Sequence, residues 1–328
     1  MSGLRGFPYE FPPRGWFQIA WSRELREAAV VPLRYFGRDF VCYRGESGQV
    51  VVMEAHCKHL GAHLGYGGYV CDDDIVCPFH GWRWSAEGWN VEIPYTERGP
   101  HKGKRMGTWP VIEVSGMVLM WNGPEGETPD WSPPAVPQFE DEAYYSIEAG
   151  MHCERVKLYP QFAVENQVDF AHLKYVHKWE EIDPQVEAYE NRGVCFYSRT
   201  SGGMASPKGT IRFRVENWTW GIGYIVSNIE GLRDTTIVVS TTPVDDDVSD
   251  MRLTMAVRRP DTEASRETLD EFSHALFKGQ VEALFGSHPG DRDIWENQIY
   301  IDTPPYPKEE AKAFLALRDW ASQFYPKG

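Results

Sequence analysis

From Trp16 to Trp121 the chain is written as short apolar runs of β-branched and aromatic residues: WFQIAW, VVPLRYF, FVCYR, VVMEA, DIVC, PVIEV and MVLMW. Polar, glycine-containing breaks separate them, and runs of this length at this spacing predict a small antiparallel sandwich or barrel. Residues 123–138, GPEGETPDWSPPAVPQ, then carry five prolines and two glycines, which interrupt any regular element. The domain boundary is placed there, with one domain over residues 1–130 and a second over 131–328.

The second half mixes periods. A helix-like stretch from Gln161 to His177 precedes five strand-like runs, VCFYSRT, TIRFRVENW, GIGYIVSNI, TTIVVSTT and RLTMAVRR. Leu269, Phe272, Leu276, Val281 and Leu284 then recur near the helical period, with Thr262 as a cap and Glu263 in the first turn. Shorter helices are expected at about Asp291 to Tyr300 and Lys308 to Phe324. Strands followed by a long amphipathic helix predict an α+β architecture, in which the sheet curves around the helix and leaves a cavity. The aromatic run ENWTWGIGYIV, with Trp218 and Trp220, is a candidate wall for it, although core packing is the commoner use of such a strand.

A length of 328 residues suits about two domains, and 42% hydrophobic residues can furnish real cores. The formal charge of −15 repels nucleic-acid phosphates and anionic lipid, so neither is an expected partner. The N-terminus lacks the apolar run of a signal peptide, and no stretch long enough to span a bilayer occurs, so a cytoplasmic protein is expected. There the six cysteines stay reduced, and a clustered pair reads as metal-binding rather than as a disulfide. The 13 tryptophans and 16 tyrosines exceed an average core's needs and suit a pocket for a flat apolar ligand.

Two cysteines do cluster with histidines. Cys57-x-His59 is followed, after 17 residues, by Cys77-x-x-His80. Four such ligands from two loops can hold tetrahedral zinc, or two irons of which one takes both sulfurs and the other both nitrogens. Structural zinc sites usually group cysteines with cysteines, whereas each loop here carries one of each type, which suits the two-iron cluster better. His56 and His63 flank the loops and read as packing residues, and Cys42 and Cys71 as small buried or edge thiols.

These residues, with the flanking HLG (residues 59–61) and CPFHGW (77–82), resemble the signature of the Rieske [2Fe–2S] proteins. The respiratory members add a disulfide between the two loops and a serine donating to a bridging sulfide; this sequence has Ala62, Phe79 and Trp82 at those places. Fewer hydrogen bonds to the sulfurs imply a potential toward the low end of the roughly −150 to +300 mV Rieske range, as in donors to oxygen chemistry.

A second constellation follows the boundary. Asn166, Asp169, His172 and His177 lie in FAVENQVDFAHLKYVH, with Glu165 beside them. On a regular helix the step of five from His172 to His177 places the rings roughly 140 degrees apart, so convergence needs a distortion or a helix end. Two histidines at this spacing are often unrelated packing residues. The spacing NxxDxxHxxxxH nevertheless resembles that of the Rieske oxygenases, which join an N-terminal Rieske domain to a C-terminal helix-grip, START-like catalytic domain, and the resemblance then covers nearly the whole chain.

The resemblance implies a mononuclear Fe(II) held by His172, His177 and a carboxylate, with open positions for dioxygen. GDRDIWENQIY offers Asp291, Asp293 and Glu296; the relatives place the ligand three residues before an Ile-Trp pair, which selects Asp291, with Asp293 as the fallback. It implies catalytic roles for Asp169 and Asn166, with Asp169 bridging His172 to the Rieske His80 of a neighbouring subunit in a homotrimer. Electrons would come singly from an NADH-dependent ferredoxin or flavin reductase, through His80, Asp169 and His172, and one oxygen atom would enter the substrate. The chain has no dinucleotide fingerprint of its own, so NADH would act only indirectly.

DRDIWENQIYIDTPPYP and RDWASQFYP resemble the oxygenase components of 3-ketosteroid 9α-hydroxylases and sterol-desaturating relatives, implying a steroid or terpenoid-like apolar substrate. A Rieske O- or N-demethylase or aromatic-ring hydroxylase acting on a smaller molecule shares every metal ligand and stays open. So does, in another class, an electron-transfer protein using only its Rieske domain.

Overall fold

The protein is described by a computed structural model covering all residues except 1–5, 26–28, 147–149, 181–185, 207–208, 232–233, 260–265, 283–285, 287–288 and 327–328. Two compact units divide it: Trp16–Ser132, and Pro133–Gly328 together with the stretch that ends at Gly15. The N-terminal stretch joins the second unit through its aromatics. Phe7 stacks on Tyr159 with centroids 4.8 Å apart, and Tyr9 on Tyr325 at 4.7 Å.

The unit Trp16–Ser132 is built from three small antiparallel sheets. One contains β1 (Gly15–Trp21), β10 (Val111–Val114) and β11 (Met117–Asn122), in the order β1-β11-β10. A second orders β2 (Val30–Tyr35), β3 (Arg38–Arg44), β4 (Val50–Glu54) and β9 (Thr108–Trp109) in sequence. The third orders β5 (Tyr69–Cys71), β6 (Asp74–Val76), β7 (Arg83–Trp84) and β8 (Asn90–Glu92). Inward residues of the second and third sheets, among them Val41, Met53, Ile75 and Trp84, form one core, and Cys57 and Cys77 belong to it. The two cysteines therefore sit where packing limits the movement of their loops.

In the other unit, one eight-stranded antiparallel sheet supplies the scaffold. It comprises β12 (Tyr144–Ser146), β13 (Met151–Val156), β14 (Ala188–Arg192), β15 (Cys195–Ser206), β16 (Gly209–Trp220), β17 (Tyr224–Glu230), β18 (Thr235–Asp245) and β19 (Val248–Arg258). The strands from β14 to β19 pair as successive neighbours, and β12 and β13 both lie along β19. β-branched runs such as TTIVV in β18 suit this pleated, largely buried surface.

The helices are α1 (Pro160–Glu165), α2 (Phe170–Tyr175), α3 (Arg266–Val281), α4 (Asp291–Asn297) and α5 (Ala311–Ser322). α3 packs Leu276 and Phe277 against Ile237, Leu253, Met255 and Val257 of the sheet. Phe272, expected on that buried stripe, is exposed, while Thr262, Glu263 and Leu284 lie outside the described residues. The stretch from Gln161 to His177 is two short helices rather than one: a turn over residues 166–168 separates α1 from α2.

Candidate metal centres

The two cysteine-histidine loops share one backbone design. Gly61 donates its N–H to the Cys57 carbonyl at 2.9 Å, and Gly81 does the same to Cys77 at 3.0 Å. Cys57 N–H bonds the Ala62 carbonyl and Cys77 N–H the Trp82 carbonyl, both at 2.9 Å. Each loop closes at a glycine in the left-handed region, φ +77° at Gly61 and +69° at Gly81, which explains HLG and FHG in the sequence.

The loops bring the four side chains together. His59 and His80 have ring centroids 4.7 Å apart, and their Nδ1 atoms are buried without a hydrogen-bond partner. Cys57 and Cys77 are buried; burial pushes the Cys57 thiol up, with Cys77 close enough to add to the shift. Two orphaned imidazole nitrogens beside two buried thiols would be costly in an apolar core unless a metal group takes their lone pairs. The set therefore fits an iron–sulfur cluster. Trp82 stacks on His59 at 4.4 Å and spends its indole N–H on Tyr95 Oη at 2.7 Å. His56 and His63 pack edge to face at 5.0 Å, and the His63 Nδ1 accepts from the Gly65 N–H, as packing residues would. Cys42 is fully buried, and burial pushes its thiol up to about 12.

The second set depends on where α2 starts and stops. Asp169 is its N-cap, accepting the His172 N–H at 3.2 Å. The His172 Nδ1 donates to the Asp169 backbone carbonyl and lies 3.6 Å from its carboxylate, which leaves Nε2 with a free lone pair. The helix ends at Tyr175, so His177 lies beyond it, released from helical rotation. Its ring thereby comes within 5.2 Å of His172, and the problem of the five-residue step disappears.

The carboxylate arrives from α4. Asp291 is the first residue of that helix and is 3% exposed, with Oδ2 3.2 Å from His177 Nε2 but out of hydrogen-bond alignment, so this oxygen has no donor. The ligand atoms of His172, His177 and Asp291 all lie within 4.8 Å of one another. Two imidazoles and a buried carboxylate with one oxygen lacking a donor fit a divalent iron with positions to spare. Asp293 is occupied otherwise: its Oδ2 accepts the Gly290 N–H at 3.2 Å and caps the helix. Glu296 pairs with Arg292 at 3.0 Å.

Charge at this site is balanced by proximity. Burial alone would raise the Asp169 carboxyl, yet the hydrogen bond and charge of His172 outweigh it and hold it below the ordinary value. For His172 burial acts downward, and Asp169 with Asp291 overcomes it, leaving the imidazole raised. Glu165 faces away from this set and pairs with Arg318 at 2.9 Å. Asn166 follows α1 and lines the neighbouring cavity, outside the trio of ligand atoms.

That cavity, about 410 Å³, lies between the sheet and α3, as the strand-then-helix order predicts. Val215, Ile225, Ile237 and Leu253 line it from the sheet, Leu276 and Gly279 from α3, and His172, His177 and Asp291 also face it. Trp218 and Trp220 do not. Strand alternation gives Val215 and Asn217 to the cavity and turns the two tryptophans to the opposite face, where Trp218 packs on Tyr197 at 4.8 Å beneath the Arg192 guanidinium.

Comparison with known proteins covers both halves of the chain. Residues 15–113 match the Rieske [2Fe-2S] domain, and residues 120–325 match the 3-ketosteroid 9α-hydroxylase C-terminal domain. The chain belongs to the Rieske oxygenases of the 3-ketosteroid 9α-hydroxylase type. Among its relatives, a probable 3-ketosteroid-9-alpha-monooxygenase oxygenase component of Rhodococcus rhodochrous is 29% identical, across 98% of this chain and 82% of the relative. A cholesterol 7-desaturase of Bombyx mori is 38% identical over 50% of this chain and 35% of its own length. The crystal structure of dicamba monooxygenase bound to dicamba superposes with a TM-score of 0.75 at 16% identity, covering 96% of this chain and 97% of that one, and so shares the fold.

This Rieske oxygenase has the α+β organisation expected of it, an antiparallel β domain carrying the cluster loops followed by a helix-grip catalytic domain. It is the terminal oxygenase component of a multicomponent system, a non-heme iron monooxygenase with a [2Fe–2S] cluster and Fe(II), reduced by a separate protein. Among the described residues no helix is long and apolar enough to cross a membrane.

Proposed function

We propose that this oxygenase hydroxylates a steroid or terpenoid-like apolar substrate held between the sheet and α3. The observation that carries the reading is the largely apolar cavity of about 410 Å³ onto which His172, His177 and Asp291 face. That size lies in the range for small-molecule sites, and the names of the Rhodococcus and Bombyx relatives refer to steroids.

Cys57 and Cys77 would hold one iron of the cluster, His59 and His80 the other, and His172, His177 and Asp291 the mononuclear iron. When bound, that iron supplies a redox centre with open positions for dioxygen. Asp169 fixes the His172 ring and its tautomer, so the second imidazole nitrogen stays available. The apolar walls orient a substrate carbon and keep water away from it. Two electrons and two protons accompany each dioxygen, one oxygen atom entering the substrate and the other leaving as water.

We assign Asp169 a second role, linking His172 to His80 of a neighbouring subunit in a cyclic homotrimer, so that electrons pass between copies. A ferredoxin or flavin reductase drawing on NADH is the proposed donor. Six unpaired cysteines suit the reducing cytoplasm, where we place the protein. The test is turnover with reductase and NADH on a panel of steroids, terpenoids and small aromatic acids, with products identified under labelled dioxygen. Labelled steroid or terpenoid alcohols are expected, and turnover of the aromatic acids alone would contradict the assignment.

A further inference from the structure

A polar row runs inward from the cavity wall, which Asn217 and Ser227 line and behind which Ser198 is buried. Ser198 on β15, Asn217 on β16 and Ser227 on β17 are directly opposite one another across the sheet. Their side chains form a chain of hydrogen bonds: Ser227 Oγ to Asn217 Oδ1 at 2.7 Å, Asn217 Nδ2 to Ser198 Oγ at 3.2 Å, and Ser198 Oγ to the Gln167 carbonyl at 2.7 Å.

Its direction is forced from the far end. A backbone carbonyl only accepts, so Ser198 spends its single proton on Gln167 and can only accept from Asn217. Asn217 must then turn its amide nitrogen to Ser198 and its oxygen to Ser227, and Ser227 spends its own proton on that oxygen. Ser198 and Asn217 are 1% and 6% exposed, but Ser227 is only half-buried and lines the cavity between Ile225 and Ile229. The exposed end of the row is thus an oxygen with lone pairs and no proton to give. The row is tied at its other end to the turn carrying Gln167, between α1 and the Asp169 cap of α2, so its geometry is fixed by the segment that bears the histidines.

We propose that Ser227 is the polar anchor of the substrate cavity and that it recognises a hydroxyl on an otherwise apolar, polycyclic substrate in preference to a ketone. An alcohol donates to the waiting oxygen. At Ser227 a ketone sets acceptor against acceptor, unless the serine turns its proton away and leaves the buried Asn217 Oδ1 unpaired. This deepens the steroid or terpenoid reading, on which it rests, and gives a preference opposite to the one in the name of the Rhodococcus relative.

The test is anaerobic equilibrium binding to the holoenzyme of two matched pairs, a 3-hydroxysteroid with its 3-ketone and a smaller terpenoid alcohol with its ketone. The alcohol is expected to bind about tenfold more tightly in each pair that binds. Ser227→Ala should abolish the preference, and Ser227→Thr, which keeps the hydroxyl, should retain it. Equal affinities or a preference for ketone overturn the anchor and leave the steroid or terpenoid reading standing. A preference that survives Ser227→Ala overturns the assignment to Ser227, and failure of both pairs to bind overturns the anchor and the substrate class together.

Discussion

Arg318 grips Glu165 with two parallel hydrogen bonds, Nε to Oε1 at 2.9 Å and Nη2 to Oε2 at 3.0 Å. The pair joins α5 to the last residue of α1, next to the turn that leads into Asp169 and His172. Arg318 also donates to the carbonyls of Ile301 and Asp302 and lies 4.4 Å over the Tyr300 ring, bracing the segment that follows α4. One guanidinium thereby ties down both stretches of chain that converge on the iron site. Its partner has 13% side-chain exposure, so loss of the cation leaves a largely buried carboxylate with, among the described residues, only the Gln161 amide beside it.

Arg318→Met should therefore cost about 3–5 kcal/mol of stability. It should also weaken iron binding at His172, His177 and Asp291 while the cluster's visible absorption is retained. Thermal melting with iron titration of the apo site checks both, and Glu165→Met in the Arg318→Met background should recover part of the loss by removing the stranded charge.

Asp169→Asn separates charge from capping. Asparagine caps a helix about as well as aspartate, so α2 should persist and both metals should still load. Electron transfer from reduced cluster to the mononuclear site should slow severely, as measured by single-turnover absorption at the cluster band. Unchanged transfer would remove the bridging role.

Asp291 and Asp293 stand two residues apart in the same helix turn and should behave differently. Asp291→Ala is expected to abolish mononuclear iron and turnover. Asp293→Ala loses the contact to the Gly290 N–H, costs about 1 kcal/mol, and should leave iron content unchanged.

The cluster loops predict a graded pair. Gly61 and Gly81 both have positive φ, but a Cβ on Gly61 meets nothing within 4 Å, whereas one on Gly81 falls 2.9 Å from Pro94 Cγ. Gly61→Ala should cost only the backbone term of about 1–2 kcal/mol. Gly81→Ala adds a collision with Pro94 and should lower cluster content further, read by absorption per chain after identical reconstitution.

Most of the residues that the structure brings together were legible because they come from short segments whose spacing survives in one dimension, Asp291 being the distant exception. Cys57, His59, Cys77 and His80 belong to two loops, and His172 and His177 to one. The spacing of the two histidines looked wrong only on the assumption of a continuous helix. The end of α2 at Tyr175 removes that difficulty. What the sequence hides is parity and register. Nothing in ENWTWGIGYIV says which alternate positions face the cavity, so Trp218 and Trp220 read as candidates for a wall that Val215 and Asn217 supply, with core packing the commoner use. The row Ser198, Asn217 and Ser227 exists only through the pairing of three strands, and the contact of Arg318 with Glu165 spans 153 residues. Phe7, stacked on Tyr159, shows why a cut drawn from proline content alone missed the crossing at Gly15.

The central claim, two iron centres of different kinds in one chain, is tested most directly by metal and acid-labile sulfide analysis of the anaerobically reconstituted protein alongside its His172→Ala variant. The account predicts about three irons and two sulfides per chain, falling to about two irons in the variant with the cluster's absorption unchanged. Zinc in place of iron, or an iron count that His172→Ala leaves unaltered, would contradict it.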